Sequence, residues 1–212
     1  MISRRHFNAL AIGAAAGAAI APHAGFAAGA AKYEPVLGEN GHYTQPWFLE
    51  SFLEVADDLQ EAREQGKRFA LMWELEGCPY CRETHFVNFG IPEIHDYVRE
   101  NFLIVQLDVK GSREVTGFDG KSMSEKAFAR ANGVRFTPTI QFFPEQLEGL
   151  TDAARIKPEI ARMPGYFRPF HFLTMFQFVK EKAYEKQDFR AYLKAKMASY
   201  RDAGKPIPDW KS

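Results

Sequence analysis

The segment EGCPYCRETH, residues 76–85, contains both cysteines of this 212-residue chain, two residues apart. It follows an apolar run that we interpret as a buried strand, and Pro79 suits the first turn of a helix. A thiol at a helix N-terminus lies near unpaired backbone N–H groups and the positive end of the helix dipole, which favour the thiolate. We therefore predict that Cys78 is the exposed nucleophile and that Cys81 resolves a mixed disulfide.

Two other uses of the cysteine pair compete with this redox interpretation. A disulfide across so short a loop constrains the unfolded chain little, so it would be a weak structural crosslink. A metal site would take Cys78, Cys81 and His85, but the chain has no second cysteine pair and no His-x-x-His cluster to complete it. We interpret His85 as a surface or packing residue, and we expect no metal and no cofactor.

Pro138, between Thr137 and Thr139 at the start of the strand-like run TIQFF, is the second notable feature. Proline cannot donate to a strand ladder, so it is found at the first residue of a strand or at an edge. One interpretation is an ordinary trans proline. The other is a cis proline, which an X-Pro bond tolerates at modest cost, that turns the Thr137 backbone toward an incoming peptide.

The apolar periodicity predicts the elements that position these residues. In chain order they are an amphipathic helix over 46–66, a strand over 68–75, helices over 78–89 and 92–101, a strand over 102–109, a helix over 124–132, strands over 139–143 and 159–166, and a helical stretch over 168–197 broken near 185–188. This order indicates an α/β fold: a mixed central sheet with parallel pairs and a final antiparallel hairpin, helices on both faces, and a C-terminal helical extension.

Composition and the N-terminus indicate an exported protein of one domain. The chain has 27 basic and 27 acidic residues, so no basic field favours nucleic acid as a partner. Residues 1–30 have Arg4 and Arg5, then a long uncharged stretch that ends in Ala28-Gly29-Ala30, which predicts a cleaved signal peptide of the twin-arginine type. We expect a periplasmic protein without stable membrane insertion after processing. Its domain would span 45–200, between an N-terminal arm (31–44) and a loose tail (201–212).

GCPYC after a buried strand, with TPT before a later strand, resembles the thioredoxin superfamily. The resemblance implies a thioredoxin-like fold in which Thr137 and Pro138 form a cis-proline loop facing the cysteines, and in which Pro79 and Tyr80 help to bind substrate. With QPWF, VRFTPT and RMPGY added, the chain resembles the SoxW-type periplasmic thioredoxins associated with sulfur oxidation. The implied partners are cysteine-containing exported proteins, joined through a mixed disulfide, and a reducing partner such as a membrane thiol transporter.

The chain departs from thioredoxins at two positions near the cysteines. Met72 stands where thioredoxins hold a buried acid, and Gly77 replaces the tryptophan that usually precedes the first cysteine. Glu74 points to the same strand face as Met72, so we name it as the candidate proton shuttle. The alternative is that Glu74 and Glu76 are solvated carboxylates at a strand end.

The sequence is therefore compatible with three functions. The leading one is a thiol–disulfide oxidoreductase that reduces or exchanges disulfides on partner proteins. The second is an oxidase or isomerase of the Dsb kind, which the absence of room for a large helical insertion between Cys81 and Pro138 disfavours. The third is a metal carrier that uses the cysteine pair.

Overall fold

The computed structural model describes residues 32–210. The helices and strands are, in chain order, β1 (Val36–Leu37), β2 (Tyr43–Thr44), α1 (Val55–Glu64), β3 (Arg68–Glu74), α2 (Pro79–Glu83), a π-helical turn (Thr84–Asn88), α3 (Pro92–Asn101), β4 (Phe102–Asp108), β5 (Glu114–Thr116), β6 (Ser122–Ser124), α4 (Glu125–Ala131), β7 (Thr139–Phe142), α5 (Asp152–Ile156), β8 (Ala161–Pro164), α6 (Pro169–Lys180), a 3-10 turn (Ala183–Glu185) and α7 (Phe189–Asp202). The predicted signal peptide lies outside the described residues. Within them, no helix is long and apolar enough to cross a bilayer.

The central sheet has four strands in the order β4-β3-β7-β8. β3 pairs with β4 in parallel, while β7 runs antiparallel to both β3 and β8. The mixed sheet and its final hairpin confirm the predicted fold class, but we expected parallel pairs and only β3 and β4 form one. The connection from β4 to β7 starts and finishes at the same end of the strands, where Asp108 pairs with Glu74 and Thr139 pairs with Trp73. β7 must therefore run back along β3.

β3 is buried along its whole length because helices cover both faces of the sheet. Side chains alternate between the faces of a strand. Ala70 and Met72 pack with α3 and α6, whereas Phe69, Leu71 and Trp73 pack with α1 and α4. The predicted helices on both faces of the sheet are therefore confirmed. Each large apolar side chain that is fully buried between these layers contributes about 1.5–3 kcal/mol of transfer free energy to folding.

The first helix is shorter than the sequence predicted, since α1 begins at Val55 and not near Pro46. In the preceding segment, Ser51 Oγ donates to the carboxylate of Asp58 and accepts from the Leu53 N–H at 2.6 Å. Such local side-chain bonds compete with helical backbone bonds. As a result Phe52, which the periodicity placed on the buried helix face, is 97% exposed.

Two small elements lie where the sequence predicted loops. The polar stretch after β4 folds into the β5–β6 hairpin, whose turn uses Gly120 at φ 73°, a conformation that favours glycine. α5 lies between β7 and β8. The predicted cap of α4 is confirmed, because Ser124 Oγ accepts from the Ala127 N–H at 3.3 Å.

The C-terminal extension is the pair of helices α6 and α7. The break between them falls at residues 181–188, slightly earlier than predicted, and Lys182 there adopts φ 55°. α6 is apolar nearly all round because it lies between the sheet and α7. Helix α7 continues to Asp202, and Trp210 packs against the core, so the last described residues are less loose than the sequence suggested.

Candidate active site

Cys78 lies at the junction between β3 and α2. Gly77 before it adopts φ 71°, which favours glycine, and the Cys78 N–H donates to Leu75 O at 3.1 Å. Cys78 is the N-cap of α2, with Pro79 in the first turn, and its Sγ accepts from the Cys81 N–H at 3.2 Å. The predicted place of Cys78 at a helix N-terminus is confirmed, and both cysteines are free thiols.

The segment before β7 faces Cys78. The Thr137–Pro138 peptide bond is cis, as predicted. Thr137 Oγ1 donates to Cys78 Sγ at 3.4 Å, and the Cys78 thiol lies 3.5 Å from Thr137 O. Cys78 Sγ therefore accepts two hydrogen bonds, one from the Cys81 N–H and one from the Thr137 hydroxyl. Donors in these positions stabilise negative charge on an attacking sulfur.

The predicted substrate-binding residues border Cys78. Pro79 is exposed, and Tyr80 is 58% exposed while its ring stacks on Tyr166 with centroids 6.1 Å apart. Phe136, beside the Thr137 loop, is 64% exposed. These side chains leave apolar surface around the half-buried Cys78, and their contact with a substrate stays a prediction.

Cys81 lies one helical turn inside the protein and is buried. Burial raises the pKa of the Cys81 thiol, and the negative charge of Glu74 raises that pKa further. Cys81 therefore stays protonated at neutral pH until something removes its proton. This difference in exposure matches the predicted roles of nucleophile and resolving thiol.

Glu74 and His85 form a buried pair behind Cys81, at 1% and 0% exposed. The Nε2 of His85 lies 3.0 Å from Glu74 Oε1. His85 is not a surface residue, but it is a packing residue as the alternative expectation had it, since the rings of Phe48 and Phe89 lie against it; the alternative that Glu74 is solvated is wrong. His85 is four residues after Cys81, so both side chains point inward from the same helix face toward the end of β3. The four-residue spacing between Cys81 and His85 was the feature of the sequence from which the buried position of His85 could have been predicted.

Two glutamines complete the buried network around this pair. Gln106 Nε2 donates to Glu74 Oε2 and also to Tyr43 O, the latter at 2.7 Å. Gln45 Nε2 lies 3.2 Å from His85 Nδ1. Sequence reasoning missed both glutamines. Gln106 could have been found because it is a polar residue within an apolar strand, while nothing in the sequence singles out Gln45 beyond its place in the QPWF motif.

The N-terminal arm forms one wall of the site. β1 and β2 pair as a small hairpin, and a pocket of about 340 Å³ lies between this hairpin and the cysteines. Its lining includes Leu37 and Tyr43 from the arm, Cys78 and Cys81 from α2, and the buried Glu74 and His85. Arg82 adds to the wall, with its guanidinium 4.4 Å from the Phe86 ring and 5.9 Å from the Tyr43 ring. The arm, predicted only as a polar lead-in, is part of the site.

The metal alternative gains nothing from the geometry of His85. Both of its ring nitrogens already have partners, Glu74 and Gln45. Among residues 32–210, no group of three or more His, Cys, Asp or Glu side chains is arranged to hold a metal ion.

Comparison with known structures finds thioredoxin folds at low sequence identity. A thioredoxin-fold protein from Helicobacter pylori is 23% identical, with 65% of this chain and 84% of that chain covered and a TM-score of 0.49. A thioredoxin from Thermus thermophilus is 19% identical, with 59% and 83% covered and a TM-score of 0.45. The reduced C-terminal domain of DsbD from Neisseria meningitidis is 14% identical, with 57% and 90% covered and a TM-score of 0.39. No curated protein matches the sequence.

A family comparison covers more than half of the chain. Residues 55–180 match the thioredoxin-like domain, from the start of α1 to the end of α6, and so include both cysteines and the Thr137–Pro138 loop. The matched segment contains the half-buried Cys78, the buried Cys81 and the cis-proline loop that faces Cys78. The chain therefore belongs to the thioredoxin-like domain family and is a thiol–disulfide oxidoreductase.

Proposed function

We propose that this enzyme is exported to the periplasm and reduces or exchanges disulfides on other exported proteins. The single observation that carries the proposal is the asymmetry of the two thiols. Cys78 is half-buried beside Thr137, at 3.4 Å from its hydroxyl, while Cys81 is buried one turn behind. A partner disulfide can therefore reach Cys78 first, and Cys81 then attacks Cys78 Sγ to release the reduced partner.

The finer assignment is to the SoxW-type thioredoxins that serve sulfur oxidation. The support is that the motifs behind this resemblance lie at the site. Gln45 of QPWF contacts His85, and Tyr166 of RMPGY stacks on Tyr80. In this assignment the partners include sulfur-carrying proteins with a reactive cysteine, and a membrane thiol transporter restores the dithiol.

The export proposal rests on residues 1–30, which carry the twin-arginine pattern and lie outside the described part of the chain. With that segment removed, 25 basic residues face 27 acidic ones. The slight acidity gives no electrostatic reason for binding nucleic acid.

A trapping experiment tests the proposed function. The Cys81→Ser variant, expressed as the full chain with its signal, should accumulate covalent adducts with exported cysteine-containing proteins on non-reducing gels, because the mixed disulfide on Cys78 is no longer resolved. The Cys78→Ser variant is the matched control and should trap few or none. Sulfur-carrier proteins among the adducts would support the SoxW-type assignment, whereas a broad set of folding secretory proteins would favour a Dsb-like oxidase or isomerase. If neither variant captures a partner and the wild type cannot reduce insulin, the proposal fails.

A further inference from the structure

Arg162, the first residue of the RMPGY motif, bonds to the start of the α4–β7 loop, residues 132–138. Its guanidinium donates to Asn132 O at 2.8 Å and to Gly133 O at 3.3 Å. Both carbonyls lie past Ala131, the last residue of α4. Within the described part of the chain, no other side chain bonds to them. Arg162 therefore holds the loop and not the helix.

Glu159 and Gln141 fix the guanidinium in that position. The Glu159 carboxylate accepts from Arg162 Nε at 2.7 Å and from Arg162 Nη2 at 2.5 Å, a bidentate pair that sets the plane of the guanidinium. Gln141 Nε2 donates to Glu159 Oε2, and Gln141 Oε1 accepts from Trp73 Nε1 at 2.6 Å. The arginine on the edge strand β8 is thus connected through β7 to the buried strand β3.

This chain of hydrogen bonds is suited to fixing a geometry. Gln141 is 0% exposed in β7, where an apolar side chain would avoid the cost of burying an amide. Both ends of its amide are paired, and a buried network whose members are all paired is rigid and has one arrangement. That rigidity extends through Glu159 and Arg162 to the two carbonyls at the start of the loop.

The other end of the α4–β7 loop lies at Cys78. There Thr139 Oγ1 donates to Phe136 O at 2.7 Å. Between this bond and the bonds from Arg162 lie only a few residues, so the two ends together decide where Thr137 stands. The Thr137 hydroxyl donates to Cys78 Sγ at 3.4 Å. Because hydrogen bonds weaken steeply when their geometry departs from the optimum, a small displacement of the loop would weaken this bond.

We propose that Arg162, oriented by Glu159, is a positioning residue that keeps the α4–β7 loop where the Thr137 hydroxyl meets Cys78 Sγ. The inference rests on the proposed function, in which Cys78 attacks the partner disulfide first. A donor to the sulfur favours the thiolate, which is the form that attacks. Loss of Arg162 therefore lowers the reactivity of a thiol to which Arg162 does not bond.

Two other roles for Arg162 predict different outcomes. A merely structural role would lower the free energy of unfolding and leave the thiolate fraction of Cys78 unchanged at every pH. A purely electrostatic role would give Arg162 and Glu159 opposite effects, because loss of a positive charge disfavours the thiolate and loss of a negative charge favours it. In the positioning role both losses act in the same direction, since each leaves the loop without a fixed guanidinium.

The titratable groups around Cys78 belong to other parts of the structure. Those that line a pocket with it are His42, Tyr43, Glu74, Cys81, Arg82 and His85. Arg135, on the loop itself, is exposed. In the described residues none of these groups hydrogen-bonds to Arg162 or Glu159. A substitution at either position therefore acts on Cys78 through the loop or through its own charge.

The pH dependence of Cys78 alkylation by iodoacetamide distinguishes the three roles. The full chain with Cys81→Ser has a single thiol, so the rate follows the thiolate of Cys78 alone. In that chain Thr137→Val, which removes the hydroxyl, should move the midpoint of the pH–rate profile upward by about one pH unit. Arg162→Met should move it in the same direction by about half a unit, a loss of rate below the midpoint of about threefold. Arg162→Lys, which keeps the charge but not the planar donor, replaces Arg162→Met if that variant does not fold.

A double-mutant cycle tests whether Arg162 acts through the Thr137 hydroxyl. The variant that combines Thr137→Val with Arg162→Met should move the midpoint no further than Thr137→Val alone, because the bond that Arg162 positions is already absent. Glu159→Gln should also move the midpoint upward. Additive shifts in the double variant, a downward shift in Glu159→Gln, or an unchanged midpoint in Arg162→Met each overturn the inference.

Arg68→Met is the matched control for the loss of an arginine. Arg68 also donates to a backbone carbonyl, Phe143 O at 3.4 Å, and pairs with a glutamate, Glu145 at 2.7 Å, but it lies at the opposite end of β3 from Cys78. Arg68→Met should lower stability in urea unfolding and leave the alkylation profile unchanged. A midpoint that moves equally in Arg68→Met would overturn the inference. A wild-type chain whose Cys78 is alkylated no faster than Cys81 would instead contradict the proposed function.

Discussion

Asp58 gives a quantitative prediction about stability and pH. Its side chain is 6% exposed on the first turn of α1, where Ser51 Oγ donates to it at 2.7 and 2.8 Å. Burial raises the pKa of Asp58 from 3.8 to about 6, although the bond from Ser51 acts in the opposite direction. The folded protein therefore holds the Asp58 proton more tightly than the unfolded chain does.

The sign of the effect on stability follows from this order of pKa values. The contribution of Asp58 is fully present below its unfolded pKa and is lost as pH rises through about 6. A pKa difference of this size corresponds to about 3 kcal/mol of unfolding free energy between about pH 4 and pH 7. Asp58→Asn keeps the shape and cannot ionise, so the variant's unfolding free energy relative to wild type should rise by about 3 kcal/mol over that range.

The assay is urea unfolding of the full chain, followed by circular dichroism at a series of pH values. Comparing variant with wild type at each pH cancels the titration of every other group, and any change in the Ser51 hydrogen bond appears as a constant offset. Asp57→Asn, at an exposed position on the same turn, controls for the loss of one negative charge. A difference between Asp58→Asn and wild type that does not vary with pH would refute the reasoning.

Two further predictions concern the thiols and the core. Iodoacetamide at neutral pH should modify Cys78 well before Cys81, because Cys81 is buried and burial raises its pKa; peptide mapping of the singly modified protein checks this, and equal labelling would contradict the assigned roles. Phe176→Ala should cost about 3–5 kcal/mol of unfolding free energy, since Phe176 is 0% exposed and packs edge-on against neighbouring aromatic rings. Phe52→Ala, at a position that is 97% exposed, is the matched control and should change stability by less than about 0.5 kcal/mol, as denaturant unfolding would show.

Much of the fold could be predicted from the apolar periodicity and from the glycines and prolines that mark the ends of helices and strands. β3 and β4 are continuous apolar runs, and α3 matches its predicted bounds because Pro92 starts it and β4 follows directly. α1 was misplaced because the periodicity of residues 46–54 is also compatible with a connecting segment. There the hydrogen bonds of Ser51 and the contact of Leu49 N with Ile104 O decide the backbone, and neither bond is visible in one sequence.

In the candidate site, the residues fixed by neighbouring sequence could be predicted, and the contacts made by distant parts of the chain could not. Cys78 and Cys81 could be placed because a strand, a glycine and a proline fix their surroundings within a few residues. Glu74 could be assigned to a strand face, since that follows from a period of two. The glutamines around it could not be assigned, because Gln106 reaches Glu74, and Gln45 reaches His85, from other parts of the chain only after the fold has formed.

The hairpin of β1 and β2 has a consequence for engineering the enzyme. The segment that matches the family begins at residue 55, yet Tyr43 and Gln45 lie before it and complete the network behind Cys81. A fragment cut at the family boundary would keep both thiols and lose part of their supporting shell. Likewise, a chimera that transplants CPYC into another thioredoxin-like domain would carry over the two thiols without the residues that surround them. The transferable unit is the dithiol together with the arm, the glutamines and His85.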